Sequence, residues 1–151
     1  MSTAITAFLE YLILKMLTGN RQVVEALRLY LVDDLSPSTI ALRLGLSKHQ
    51  VRGYAQRVIE KIGDYKRASI VLSKIYDVLI RIEPVVRVYG YKKLCILCGK
   101  ELSTNGEDHI KRYHRELLED YAHNLLTILK IRLSKKTTAK IPPTINITST
   151  M

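Results

Sequence analysis

Residues 36–63 read SPSTIALRLGLSKHQVRGYAQRVIEKIG, and this stretch decides the fold. Ser36-Pro37 has the form of a helix N-cap followed by proline at the first helical position. A short helix then runs to about Leu44. Ile40 and Leu44 are four apart and face one core, while Ala41 is small where two helices cross closely. Gly45 marks a sharp turn of the kind that needs positive φ. Leu46 fills the corner, Ser47 caps a second helix over about 48–62, and Gly63 closes it. Val51, Tyr54, Ala55, Val58 and Ile62 make that helix's apolar stripe. Lys48, His49, Gln50, Arg52, Gly53, Gln56 and Arg57 are left for its outer face, with no carboxylate before Glu60. Donors, with one glycine that permits close approach, are what a helix lying in a DNA major groove requires. The competing reading is a three-helix core whose basic face is merely solvated.

On the N-terminal side, residues 3–17 predict a helix with Ile5, Leu9, Leu12, Ile13 and Met16 on one face. Leu14 and Tyr11 fall elsewhere, so burial on two sides is expected. A second helix covers about 21–32, and Asp33-Asp34 breaks it. On the C-terminal side, a helix over 65–82 carries Val71, Leu72, Ile75, Val78, Leu79 and Ile82 on one face, and Pro84 blocks continuation. Residues 85–94 (VVRVYGYKKL) are β-branched and aromatic, which predicts one or two short strands turning at Gly90. After a loop, one helix is expected from about 106 to 135, roughly 45 Å long at 1.5 Å per residue. Leu117, Leu118, Tyr121, Leu125, Ile128, Leu129 and Ile131 form its stripe. The tail, 136–151, has no helical period and reads as disordered. The fold expected is mainly α: a four-helix unit over 20–83, preceded by a helix over 1–19 and followed by a small ββα-like module over 84–135.

The 151 residues carry 24 Lys plus Arg against 14 Asp plus Glu, a formal charge of +10. Residues 1–42 sum to −1, residues 43–93 to +8 and residues 94–151 to +3. An excess concentrated in the middle third suggests a surface built for an anion, nucleic acid first. Two cysteines cannot staple a chain of this length, which excludes a disulfide scaffold. Glu10 and Lys15 interrupt the apolar N-terminus, and no basic residue precedes it, which argues against a membrane span or secretory signal. A cytoplasmic location is expected, associated with the nucleoid, or in the host cytoplasm for a viral protein.

The run from Ser36 to about Ile75 resembles the LuxR-type output domain, a four-helix helix-turn-helix whose pattern sigma-like modules partly share. Ile40-Ala41, Leu44-Gly45, Ser47, Val51-Arg52, Ile62-Gly63 and Arg67 carry the resemblance. It implies that residues 48–62 are a recognition helix and that 65–82 form a dimerisation helix. On this reading Lys48, His49, Gln50, Arg52, Gly53, Gln56 and Arg57 enter the major groove of double-stranded DNA, while Lys61, Lys66 and Arg67 hold phosphates. No receiver or ligand-binding domain is expected within these residues.

Cys95, Cys98, His109 and His114 have the spacing C-x2-C-x10-H-x4-H. Two thiolates in a short knuckle and two imidazoles about one helical turn apart suit one tetrahedral zinc ion, and four protein ligands make such a site structural rather than catalytic. The segment CILCGKELSTNGEDHIKRYH resembles the Cys-Cys-His-His zinc finger. It departs in a middle spacer two residues shorter than twelve, and in Gly106, where an apolar residue is usual. Lys111, Arg112 and Arg115 lie on the finger helix and Lys92, Lys93 and Lys100 near the knuckle. Five carboxylates are interspersed, so a supporting finger with auxiliary phosphate contacts is expected.

Helices at both ends exceed what one small module needs, and Asn124 falls within the seam Leu117, Tyr121, Ile128, Ile131. A homodimer follows as the expectation. No carboxylate cluster or activated nucleophile is legible, so no enzymatic activity and no small-molecule substrate are expected. The pairing of a helix-turn-helix with one finger, in a chain rich in Ile, Leu, Lys and Tyr, is similar to small regulators of hyperthermophilic archaea and their viruses. The function expected is sequence-specific DNA binding in transcription regulation. The alternative is an architectural chromatin, RNA-binding or DNA-processing accessory protein.

Overall fold

Fifteen residues with little polar interruption, Thr3–Leu17, form α1, and Phe8, Leu9, Leu12, Ile13, Leu14, Met16 and Leu17 are all buried. These side chains occupy more than one face, so α1 needs neighbours on several sides. In the computed structural model, which describes residues 3–135, it has them. α2 (Arg21–Leu31), α3 (Pro37–Leu44), α4 (Lys48–Ile62) and α5 (Tyr65–Leu79) follow in sequence. A three-stranded antiparallel sheet comes next, β1 (Val86–Tyr89), β2 (Lys92–Cys95) and β3 (Glu101–Leu102), in the order β1-β2-β3. α6 (Glu107–Tyr113) and α7 (Arg115–Ser134) complete the described chain. The mainly α fold is as expected. The tail expected to be disordered lies outside the described residues.

α1 packs on α7 and α4, and also on α2, α5 and α6. One apolar core runs from α1 through α2, α4 and α5 to Val86, Ile110 and the inner face of α7, Leu118, Ala122, Leu125 and Leu129. The segments 1–19, 20–83 and 84–135 thus share a core. The apolar face of α1 is covered within its own chain. α7 is likewise occupied by α1 and α5 along its buried stripe.

A second, smaller core (Ala26, Leu29, Ile40, Ala41 and Val51) holds the corner between α2, α3 and α4. The local signals of residues 36–63 are realised there. Ser36 Oγ accepts from the Thr39 amide and Gly45 closes α3 at φ 70°. Ser47 and Gln50 form a reciprocal capping box, as the spacing S-x-x-Q favours. Tyr65, at the start of α5, donates to the Tyr30 carbonyl (3.0 Å) and to Asp34 Oδ1 (2.8 Å). Burial and the Asp34 carboxylate push its phenol up to about 12.

Three expectations are corrected. α5 ends at Leu79, three residues early, because the amides of Arg81 and Ile82 bond three residues back to Val78 and Leu79 and wind into a tight turn before Pro84. The segment expected as loop after Cys98 includes β3, two residues pairing with Lys93 and Leu94. The helix expected over 106–135 is broken at His114 (φ −131°, ψ 38°). Its second part has 20 residues, about 30 Å at the α-helical rise.

Gly106 shows how closely the small sheet sits on α6. Its φ is 94°, and a Cβ there would lie 2.8 Å from Val86 Cγ2 and 3.2 Å from Leu102 Cδ1. Val86 is buried and β-branched, so it has little room to yield. Gly106→Ala is expected to destabilise the chain by about 2 kcal/mol or more, combining overpacking with a strained backbone. Urea unfolding followed by circular dichroism measures this; an unchanged midpoint would refute the close packing of β1 on α6.

Candidate metal centre and candidate nucleic-acid interface

The sheet and the helix break bring four ligand atoms together. Cys95 ends β2, and its backbone builds a knuckle: the Cys95 amide donates to the Lys100 carbonyl (2.9 Å) and the Gly99 amide to the Cys95 carbonyl (2.7 Å). Gly99 sits at φ 78°, which lets the chain double back after Cys98. Cys98 Sγ lies 3.4 Å from His109 Nε2, and Cys95 Sγ lies 3.4 Å from His114 Nε2. The ligand atoms of all four residues fall within 4.8 Å of one another, so together they could hold a metal ion. Cys95 is buried and Cys98 exposed.

The break at His114 is what makes this cluster possible. Residues five apart on an unbroken α-helix point about 140° away from each other. His109 and His114 would then face nearly opposite sides. Ending α6 at Tyr113 and restarting at Arg115 swings His114 back, leaving the two rings 5.0 Å apart between centroids. Burial, with His114 and Lys100 nearby, lowers the pKa of His109. That favours the neutral imidazole, the form that ligates.

The ten residues expected at a nucleic-acid surface fall into four groups. Gly53 is half-buried and the other nine are exposed. His49, Arg52 and Gln56 lie off the stripe of Val51, Ala55, Val58 and Ile62, and Lys48 is exposed in the first turn of α4. Gln56 donates to Glu60 Oε2 at 3.1 Å. Gln50 is different: its Oε1 accepts from the Ser47 amide at 2.9 Å, so the cap holds this side chain at the helix start. Arg57 and Lys61 turn toward α1 and line a groove with Tyr11, and Gly53 leaves space beside the Arg57 guanidinium. Lys66 and Arg67 lie at the start of α5, where the Arg67 amide caps onto Asp64 and its Nη1 reaches the Ile62 carbonyl at 3.4 Å.

Comparison with known protein families, curated proteins and solved structures finds no match to this chain. Among the described residues no helix is long and apolar enough to cross a membrane.

Sequence reasoning missed one contact that joins the metal module to the rest. Lys15 Nζ on α1 meets Glu107 Oε2 at the start of α6 at 2.6 Å, with both side chains mostly covered (16% and 19% exposed). The two residues are 92 apart in sequence, so no local pattern announces the pair.

If the cluster is a metal site, native mass spectrometry should find one divalent ion per chain. Cys98→Ser and His109→Ala should each weaken binding by more than tenfold. Circular dichroism should show a partial loss of helix on chelation, because α6 loses its anchor while the main core persists. Full helicity and an unchanged mass after chelation would sink the assignment.

Proposed function

We propose that the chain is a sequence-specific double-stranded DNA-binding protein, a transcription regulator of helix-turn-helix type with one structural zinc ion. The observation that carries this reading is the disposition of α4. Only one face of it is packed; the rest offers His49, Arg52 and Gln56, with Lys48 at the helix start, to solvent, and no carboxylate comes before Glu60. α3 and α4 are joined by a three-residue turn, Gly45–Ser47, of the length and glycine content that such units use. A helix held this way can enter a major groove, where arginine and glutamine read guanine and adenine edges. Lys66 and Arg67 then lie on phosphates. The kinship to LuxR-type and sigma-like domains belongs to this proposal and rests on residues 36–75.

Zinc is the ion the donor set favours. Tetrahedral zinc with ordinary bond lengths places sulfur and nitrogen ligands about 3.6 Å apart, close to the 3.4 Å of both Cys–His pairs. Four protein ligands leave no open position, so the ion holds the sheet, α6 and the start of α7 together and takes no part in chemistry. For a homodimer on a palindromic site, the surface that remains is the outer strip of α7. There Tyr121, Asn124 and Ile128 border an open groove shared with Val78 of α5 and Ile82 in the turn that follows it.

Selection of binding sites from a random duplex pool provides the test. Arg52→Ala and Gln56→Ala should each cost roughly 1–3 kcal/mol on the selected site and change affinity for random duplex far less. Lys66→Ala and Arg67→Ala should weaken both classes of duplex alike and flatten the salt dependence. Equal losses on all duplexes for Arg52 and Gln56 would remove base reading, and failure to enrich any sequence would remove specificity.

A further inference from the structure

The side of α4 turned toward α1 carries a second feature. Arg57, Glu60 and Lys61 of α4, Tyr11 and Lys15 of α1, and Lys111 of α6 enclose three sides of an open groove of about 660 Å³. Glu10 and Glu107 also border it. Its charges are unbalanced. Glu107 is taken by Lys15 at 2.6 Å and Glu10 by Arg115 at 3.7 Å, while Glu60 keeps its charge beside the neutral Gln56, which leaves three cations, Arg57, Lys61 and Lys111, against one carboxylate. Among the described residues no carboxylate lies within ion-pair distance of Arg57, Lys61 or Lys111.

Tyr11 forms the floor. The ammonium groups of Lys15 and Lys61 sit 5.0 and 5.6 Å from its ring centroid, within the range of cation–π attraction. Its hydroxyl is buried and finds no acceptor, while the Arg57 guanidinium faces its oxygen as a donor. The phenol thus helps to hold the Arg57 fork at the groove.

We propose that this groove is a phosphate-binding site shared by α4 and α6. Arg57 offers a planar fork that matches phosphate oxygens, and Lys61 and Lys111 act as point charges on either side. Its ligand is the phosphodiester backbone of the duplex that α4 faces, so the inference rests on the DNA-binding reading and deepens it. One of its three cations, Lys111, comes from α6, a helix anchored by the metal ligands His109 and His114. The metal module thereby contributes a charge to nucleic-acid binding without reading any base.

The test uses the full, metal-loaded chain. Binding of a random-sequence duplex is measured across a salt series for the parent protein, Lys61→Gln, Lys111→Gln and, as a charge control on the exposed face of α7, Lys130→Gln. Metal content and thermal midpoint confirm that each variant is folded. Lys61→Gln and Lys111→Gln should each lower the slope of log K against log salt by about 0.9, and Lys130→Gln should leave it unchanged. An unaltered slope for Lys111→Gln overturns the shared site while leaving duplex binding by α4 intact. The second arm adds inorganic phosphate alone and follows the backbone amide resonances of residues 57, 61 and 111. Shifts there without any duplex binding keep the phosphate site and overturn the DNA reading. Neither shifts nor duplex binding overturns both.

Discussion

Everything in this molecule is arranged around the need to cover α1. Seven buried apolar side chains on a 15-residue helix, at about 2 kcal/mol each, make exposure of this segment untenable. Those side chains do not share one narrow stripe, so a single neighbour cannot cover them. α4 covers one side and α7 another, with α2 closing the start of the next turn. The last turn of α1 also pins the sheet, since the Val85 amide donates to the Leu17 carbonyl at 2.8 Å. α7 has its own reason to be there: Leu118, Ala122, Leu125 and Leu129 need the same cover. The N-terminal helix and the C-terminal helix satisfy each other, and the four-helix unit is built against the result.

A second constraint is geometric. Two cysteines fixed by a knuckle define a point in space, and both histidines must reach it. His109 reaches it from within α6. His114 reaches it only because the helix stops and restarts. The break also lets α6 and α7 run along different surfaces, α6 against the sheet and the rim of α1, α7 along the main core. Gly106 sets how near the first of these can come, because its missing side chain leaves room for Val86 and Leu102.

The sequence was most legible where local rules decide structure. The caps at Ser36 and Ser47, the turn at Gly45 and the span of α4 follow from residues within a few positions of one another. The metal cluster was legible because its four ligand types are rare and their spacing is tight. The helix break at His114 was not, since nothing in EDHIKRYHRELL disfavours a continuous helix; only the need to direct two side chains at one point does. β3 escaped because two residues carry no periodicity. Gln50 has the right chemistry for a base edge, and S-x-x-Q is also a capping box, so the same residue carries a local role that the structure displays. The Lys15–Glu107 pair was invisible because it joins segments 92 residues apart.

Charge shows best how a linear count differs from a surface. In sequence α6 alternates acids and bases, Glu107 and Asp108 then Lys111 and Arg112, and the two signs seem to cancel. The fold sorts them. Glu107 points to Lys15, a lysine most of whose side chain is covered and which would otherwise leave a cation partly desolvated. Lys111, four residues on, lies over the same groove with no carboxylate of its own. Further along the chain, Glu119 is spent on Arg115 at 3.4 Å. Two of the acids that dilute the positive charge of the C-terminal module, Glu107 and Glu119, are therefore engaged in ion pairs, and Lys111 is left beside Arg57 and Lys61 of α4. A module whose bases and acids are interspersed in sequence can thus extend a basic surface begun by a helix fifty residues earlier.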